Sequence, residues 1–348
     1  MDPVSHAVIG SAVAAMVPAG TAAAAVWGVM IGSELPDIDF VVRYFGGEVK
    51  YLRHHRGPTH GLAMLPLKAA VVAAALGVFW PGASFGLVWL WTLLGCLSHV
   101  FFDCGNDYGT QAFWPLSGRR VAMDIIPIVD LWVLGAIGAG WMVHWAWAGH
   151  RQAVFAAVWA VLALYVGYRL WLRARAFRLV AAQFDLSQPL GEAPCCGPGW
   201  RHRNARLTVH PTLLSLTAWH YIIQMPGEFL LGMVWVPAIA EGRVGKPQRA
   251  TNAMDQTVLA SLKSQVVSLF ADWVRLPRVS VEKQNGLTCV RWTDMRYETD
   301  DFSPFTAYAW LDENLTLVNE GLGTQKPPLQ DRTVLKRRLR KEMGIEES

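Results

Sequence analysis

The stretch ASFGLVWLWTLLGCLSHVFFDCGND, residues 83–107, decides the fold of this 348-residue chain. Residues 83–102 form an apolar run, and a helix of that length crosses about 30 Å of hydrocarbon at about 1.5 Å per residue. His99 and Asp103 stand at its end, four residues apart, so they share one face of a helix. The stretch therefore predicts a membrane-spanning helix that carries two ionisable side chains at one end.

Further apolar runs of membrane length lie at residues 7–32, 62–80, 125–148 and 152–172, and none follows residue 173. The chain is 53% hydrophobic and 17% charged, which is too apolar for an ordinary soluble protein. The five irregularly spaced cysteines predict neither a disulfide framework nor a paired-thiolate zinc site. A net charge of +4 without a lysine-rich tract or an RNA-binding signature predicts no nucleic-acid partner.

The orientation in the membrane is predicted by the basic residues of the short loops. Arginine and lysine collect in residues 43–56, 119–120 and 173–178, and they are scarce in residues 80–84 and 148–151. Because basic loops stay on the cytoplasmic side, both larger loops and the C-terminal half are expected in the cytoplasm.

The first apolar run is interrupted by MVPAGT, residues 16–21. Proline and glycine break a helix, so two short helices at about residues 5–17 and 21–32 are expected to form a re-entrant hairpin. That hairpin would return His6 to the cytoplasmic face. A single straight span is the alternative.

Beyond a linker at residues 176–205, the pattern changes to β-branched and aromatic runs that predict strands. Residues 252–274 show helical spacing, and Asn285-Gly286 predicts a tight hairpin turn. The sequence thus predicts a membrane α-helical bundle, with about four spans plus the re-entrant hairpin or a fifth span, over residues 1–175. A small soluble α+β domain with a mainly antiparallel sheet follows at residues 206–348.

Metal-type side chains gather at the ends of the apolar runs on the predicted cytoplasmic side. They are His6 in DPVSH, Asp37 and Asp39 in GSELPDIDF, His54, His55 and His60 in HHRGPTH, and His99 and Asp103 in LSHVFFDCGND. Imidazole and carboxylate without thiolate suit zinc, manganese or iron. Several carboxylates and histidines could hold two ions, which would clamp a phosphoryl or acyl oxygen. After Pro36 the chain is expected to be extended, with Asp37 and Asp39 on one side.

Each group also has a structural interpretation. His99 and Asp103 could form a simple ion pair, the two aspartates could cap a loop, and the histidine-rich loop could bind anionic headgroups. His54 is expected to point away from its neighbour. Asp124 is expected to act as a ligand or as the partner of a histidine, whereas Asp130 could equally serve helix packing.

Four ordered motifs carry a family resemblance: SHAVIGS, GSELPDIDF, HHRGPTHGL and SHVFFDCGNDYGTQAFWPLSGRRVAMD. Over residues 1–175 they resemble the YdjM-like family of bacterial inner-membrane metal-dependent hydrolases. HPTLLSLTAWHYI and VRWTDMRY are similar to its longer, YfhP-like branch. The resemblance implies a multi-pass protein of the inner membrane that binds one or two divalent ions, zinc or manganese. The ligands or catalytic groups that it implies are His6, Asp37, Asp39, His55, His60, His99 and Asp103.

The favoured hypothesis is a hydrolase in which metal-activated water attacks a phosphoester or another ester of a lipid or other anionic membrane-associated substrate. Asp39 or Asp124 would accept the proton of the water, and Arg56 or Arg119 would stabilise the developing negative charge. A transporter that uses the same carboxylates and histidines, with Asp130 at mid-membrane depth, is one alternative. A non-catalytic sensor or scaffold with a structural metal is another.

Overall fold

The computed structural model describes residues 1–39, 41, 44–45, 51, 55–186, 207–225, 227–252, 255–297 and 305–323. These residues fall into two compact units. The first is built from residues within 1–45 and 54–171, and the second contains the chain from residue 172 onwards.

The first unit is helical. Its helices are α1 (Pro3–Ala14), α2 (Ala23–Glu34), α3 (Leu65–Phe79), α4 (Phe85–Gly105), α5 (Leu131–Ala146) and the first part of α6 (Arg151–Ala181). Among the described residues, Leu62–Phe79, Phe85–Gly105 and Arg151–Ala181 are long and apolar enough to cross a membrane. The predicted bundle of apolar helices is therefore confirmed.

The break predicted in the first apolar run is present, because α1 ends at Ala14 and α2 begins at Ala23. Val13 and Ala14 share a buried cluster with Val29 and Ala25, so the two helices pack antiparallel. The pair of short helices is confirmed, and its depth in the membrane remains a prediction.

Helices α2 and α4 approach each other closely through glycine. A Cβ atom on Gly95 would lie 2.5 Å from the backbone oxygen of Val29, and one on Gly32 would overlap the backbone oxygen of Thr92. Small residues allow two membrane helices to come this close. The contact places the C-terminal end of α2 beside His99.

Two predictions about local structure are wrong. The apolar run 125–148 is helical only over Leu131–Ala146, because the Asp130 side chain accepts hydrogen bonds from the Trp132 and Val133 amides and so starts the helix there. The segment after Pro36 is not extended: Leu35–Asp39 forms a 3-10 turn that continues α2. Successive residues of such a turn point about 120° apart, so Asp37 and Asp39 do not lie on one side of an extended segment, although donor atoms of both come within 4.8 Å.

The linker prediction also needs correction. Helix α6 continues to Ala181, so residues 176–181 are helical, and the boundary between the two units falls inside this helix, after Trp171. The Arg175 guanidinium donates to the backbone oxygens of Pro237 and Ala240, which fixes the end of α6 within the second unit. The rest of the predicted linker from residue 187 lies outside the described residues.

The second unit contains two antiparallel sheets. Its strands are β1 (Leu207–Pro211), β2 (Ala218–Met225), β3 (Glu228–Trp235), β4 (Arg243–Val244), β5 (Gln248–Thr251), β6 (Pro277–Gln284), β7 (Leu287–Asp294), β8 (Thr306–Leu311) and β9 (Leu317–Gly323). The first sheet has the order β1-β2-β3-β4 with β5 also paired to β3, and the second has the order β6-β7-β8-β9. The mainly antiparallel α+β domain is confirmed.

Of the two local predictions for the second unit, the hairpin turn is confirmed and the single helix is not. Asn285 and Gly286 both have positive φ and join β6 to β7, as an Asn-Gly hairpin turn requires. The prediction of a single helix over residues 252–274 is wrong. The structure has two helices there, α7 (Gln256–Ser261) and α8 (Gln265–Trp273). Ser264 causes the division by accepting the Val267 amide and capping α8.

Candidate metal centre

Four side chains of the first unit converge from three elements. Asp37 lies on the 3-10 turn after α2, His60 on the turn Pro58–His60, and His99 and Asp103 on α4. One donor atom from each lies within 4.8 Å of all the others. His60, His99 and Asp103 are buried.

Five of the six distances between these donor atoms are close to those expected around a tetrahedral ion. His60 Nε2 lies 3.2 Å from Asp37 Oδ1 and 3.4 Å from Asp103 Oδ2. His99 Nε2 lies 3.6 Å and 3.5 Å from the same oxygens, and 3.3 Å from His60 Nε2. A regular tetrahedron with edges of about 3.4 Å has its centre about 2.1 Å from each corner, which is a zinc–nitrogen or zinc–oxygen distance.

The His99 ring is oriented by the close packing of α2 on α4. His99 Nδ1 donates to the backbone oxygen of Ser33 at 2.6 Å, because a carbonyl oxygen can only accept. When the ring is neutral, Nε2 is therefore the atom whose lone pair faces the cluster. A hydrogen bond of this kind fixes the tautomer of a metal-binding histidine.

The two carboxylate oxygens of Asp103 face different surroundings. Oδ1 contacts the terminal amine of Met1, the His6 ring at 3.1 Å and the Arg56 guanidinium at 3.1 Å, and it accepts a hydrogen bond from Asn106 at 3.5 Å. Oδ2 is buried, faces the histidine nitrogens and has no hydrogen-bond partner among the described residues. A buried carboxylate oxygen in that position needs a cation or a proton.

A second donor group adjoins the first and shares Asp37 with it. Donor atoms of Asp37, Asp39 and His55 also lie within 4.8 Å of one another. Asp39 Oδ1 lies 3.4 Å from His55 Nδ1, while its Oδ2 accepts the Arg56 amide at 2.9 Å and the Thr59 hydroxyl at 3.3 Å. The two groups could therefore hold two neighbouring ions bridged by one carboxylate.

Charge states in the loops suit cation binding. Burial lowers the pKa of His55, and the Arg56 guanidinium lowers it further against the effect of Asp39, so the ring is neutral near pH 7. Burial raises the pKa of Asp37, but the rings of His60 and His99 outweigh it and hold the pKa well below its usual range. A neutral imidazole and an ionised carboxylate are the forms that bind metal.

Comparison with known proteins agrees with this architecture. A family model described as YdjM inner membrane protein matches residues 1–176, just over half of the chain. The chain belongs to the YdjM family. The match covers every residue of both donor groups. The YdjM family is a family of inner membrane proteins, and this member carries a cluster that could hold a metal ion.

The C-terminal half has its own match, to a model described as YfhP C-terminal alpha/beta plait domain, over residues 256–332. A relative described as uncharacterized protein YfhP, from Bacillus subtilis (strain 168), is 30% identical over 335 residues. The alignment covers 93% of this chain and 95% of the relative. No solved structure matches the chain.

Several residues that the sequence predicted for the site of this YdjM-family member are not part of either donor group. His6 lies outside both donor groups; its ring stacks on His99 with ring centroids 3.6 Å apart and contacts Asp103. Asp124 is buried with a positive φ and is not part of either group. Arg119 is exposed, and His54 lies outside the described residues.

Arg56 is a support of the cluster rather than an exposed cation. It is buried, and its guanidinium donates to Asn106 Oδ1 at 3.0 Å and to the backbone oxygen of Met1 at 3.1 Å, besides contacting Asp103. It also lies over the Tyr108 ring at 4.5 Å. Its predicted role toward a substrate anion remains untested.

Sequence reasoning missed several residues that support the candidate centre. Ser33, Thr59 and Asn106 contribute through a backbone oxygen, a hydroxyl and an amide, and such groups carry no ligand signal. Glu34 was also missed. Its Oε1 is buried without a hydrogen-bond partner among the described residues, and burial, with Asp37 and Asp2, raises its pKa to about 7 despite His99. The signal was a lone carboxylate at the end of an apolar helix.

Proposed function

We propose that this protein is a membrane-embedded metal-dependent hydrolase that cleaves a phosphoester, or another ester, of a membrane-associated substrate. The observation that carries the proposal is that Asp37 belongs to both donor groups. A carboxylate shared by two neighbouring ions is suited to a two-metal site, in which both ions act on one reacting group.

The two groups suit different tasks. Asp37, His60, His99 and Asp103 would hold one ion with four protein donors, and their spacing favours zinc over manganese, which prefers oxygen-rich octahedral sites. Asp37, Asp39 and His55 would hold the second with three donors, which leaves a position for water or substrate. Bound ions supply Lewis acidity, which lowers the pKa of water and polarises a phosphoryl or acyl oxygen.

Side chains of the protein would accept the proton, orient the ligands and attract the substrate. Asp39 is our candidate to accept the proton of the attacking water, because its Oδ2 is fixed by the Arg56 amide and Thr59 while Oδ1 faces His55. The buried Arg56 would keep Asp103 ionised and oriented. The exposed Arg119 remains available to attract an anionic substrate to this end of the helices. The positive-inside pattern supports a cytoplasmic location for this end.

The transporter alternative depended on Asp130. Its Oδ1 caps α5 and its Oδ2 accepts the Tyr165 hydroxyl at 2.7 Å, so both oxygens have structural partners. This observation favours the packing interpretation and weakens the transporter hypothesis.

The test combines metal analysis of the purified protein with a panel of phosphomonoester, phosphodiester and ester lipids. We expect up to two ions per chain, and metal-dependent hydrolysis of at least one substrate. The double variant His99→Ala/Asp103→Ala should lose most bound metal and the activity, whereas His150→Ala in the loop between α5 and α6 should keep both. Unchanged metal in the double variant would refute the site, and bound metal without hydrolysis would favour the sensor or scaffold.

A further inference from the structure

Residues Thr110–Val121, between α4 and α5, form a closed loop that we term the interfacial loop. Thr110 and Val121 exchange backbone hydrogen bonds of 3.0 Å and 2.8 Å at its base. Within it, the Ser117 amide donates to the Phe113 backbone oxygen at 2.9 Å. Gln111 Nε2 donates to the Gly118 backbone oxygen at 3.0 Å. These bonds give the loop a defined shape.

The interfacial loop lies where two membrane helices end. The membrane-length segment Leu62–Phe79 begins at Leu62, whose amide donates to the Ala112 backbone oxygen at 2.8 Å. The segment Phe85–Gly105 ends at the same level, because His60 Nε2 and Asp103 Oδ2 are 3.4 Å apart. Where these two segments cross a membrane, the attachment of the loop would lie at the boundary between hydrocarbon and water.

The tip of the interfacial loop is apolar and exposed. Leu116 is 92% exposed and Phe113 is 53% exposed, and exposed Arg119 follows three residues after Leu116. Large apolar side chains next to a cation are the composition of segments that enter the boundary between acyl chains and headgroups. Continuity with the membrane helices identifies the lipid bilayer as the occupant of this surface.

The interfacial loop is also bonded to the candidate metal centre. The Gln111 amide donates to the Arg56 backbone oxygen at 3.0 Å, and Arg120 Nη2 donates to the His55 backbone oxygen at 3.2 Å. Gln111 and Arg120, which lie on either side of the apolar tip, therefore form hydrogen bonds with the loop that carries His55. A molecule whose acyl chains lie beside the tip would have its headgroup at the level of the centre.

We propose that the interfacial loop inserts Phe113 and Leu116 into the bilayer and that the metal centre takes a lipid-borne phosphate ester, which arrives by lateral diffusion. The second part rests on the proposed hydrolase function, whereas the first does not. Lipids bring their phosphate to this depth, and Arg119 complements its charge.

Depth-dependent fluorescence tests the first part. A cysteine replaces Leu116 in the full chain, Cys195 and Cys196 are changed to serine, and an environment-sensitive dye is attached in phosphatidylcholine–phosphatidylglycerol vesicles. Glu313→Cys, on the exposed turn between β8 and β9, is the control, and the parent chain gives the background of the buried cysteines. We expect blue-shifted emission at position 116, quenched by spin-labelled lipid, and aqueous emission at position 313. Equal aqueous emission at both positions would overturn the anchoring.

Kinetics tests the second part with two substrates that share one phosphoester headgroup, one short-chained and soluble, one long-chained in vesicles. Phe113→Ser/Leu116→Ser should lower the ratio of kcat/KM for the lipid to that for the soluble substrate by about tenfold or more. Val318→Ser on β9, also an exposed apolar position, should leave the ratio unchanged. An unchanged ratio in the double variant would refute lipid delivery. Failure of the wild type on both substrates would refute the proposed function, while the fluorescence result on the loop would stand.

Discussion

At the residue scale, Arg56 contacts carboxylates of both candidate donor groups without belonging to either group. Its positive φ aims the backbone amide at Asp39, while the guanidinium reaches Asp103 and Asn106. One residue therefore orients a carboxylate of each donor group. Lysine offers one point charge and cannot reproduce this planar fork.

Replacement of Arg56 by lysine should therefore weaken metal binding without abolishing it. Loss of a residue that orients ligands typically costs about 10- to 100-fold in metal affinity. Competition with a chelator measures the change, and Arg119→Lys is the matched control because Arg119 is exposed. Equal affinities of the two variants would contradict the supporting role of Arg56.

Substitutions at Asp37 and His55 distinguish the two donor groups, because Asp37 belongs to both groups and His55 belongs to one. Asp37→Asn keeps the shape of the side chain but removes a charge from both groups, so we expect both ions to be lost or greatly weakened. His55→Ala removes a donor from the second group alone and should leave one ion bound. Metal content after dialysis decides this, and a loss of only one ion in Asp37→Asn would refute the shared carboxylate.

At the element scale, the contact between α2 and α4 fixes the distance between the 3-10 turn and His99. Gly95→Ala would push its new methyl group against the Val29 backbone oxygen, and backbone cannot rotate away as a side chain can. We expect a loss of about 1–3 kcal/mol of stability together with weaker metal binding. Thermal melting in detergent with and without zinc measures both.

Gly135→Ala on α5 is the control for that experiment. No atom of the described residues lies within 4 Å of its Cβ position, so the change should be neutral or stabilise the helix by about 0.5–1 kcal/mol. Similar melting temperatures for the Gly95 and Gly135 variants would show that the α2–α4 contact can relax.

Asp130 is the other determinant at this scale, because it sets where α5 begins. Asp130→Ala removes the cap of α5 and the acceptor of Tyr165, so the melting temperature should fall by an amount equivalent to about 1–2 kcal/mol. Metal content should stay as in the wild type. A large change in metal content with an unaltered melting temperature would contradict the packing role and would favour a functional role for the ionisable side chain of Asp130.

At the scale of the whole molecule, the ends of the membrane helices predict the topology. Leu62 of the segment preceding α3 and Gly105 of α4 lie at the level of the centre, so the loop between α3 and α4 belongs to the opposite side. An impermeant maleimide added to intact cells should label Gly82→Cys in that loop. It should label Arg119→Cys only after the cells are opened. Labelling of Arg119→Cys from outside would reverse the proposed orientation.

The sequence by itself predicted the apolar helices of the first unit and the imidazole and carboxylate side chains that gather at the candidate centre. Length and composition are sufficient for membrane helices, since any apolar run of that length buries its backbone polar groups by forming a helix. The His99–Asp103 pair and the breaks at Pro18 and at Asn285-Gly286 were equally readable, because each depends on neighbours within four residues.

Only the tertiary structure decided which donors meet. Asp37 belongs to both candidate donor groups because a 3-10 turn, not an extended segment, brings it close to His60 and His99 while a donor atom stays within 4.8 Å of one on Asp39. Arg56 turned inward because its partners come from residues 39, 103 and 106, which sequence patterns cannot connect. Periodicity specifies which residues share the face of one element, but the packing of one element on another depends on close contacts between distant segments, here the glycine contacts of α2 with α4.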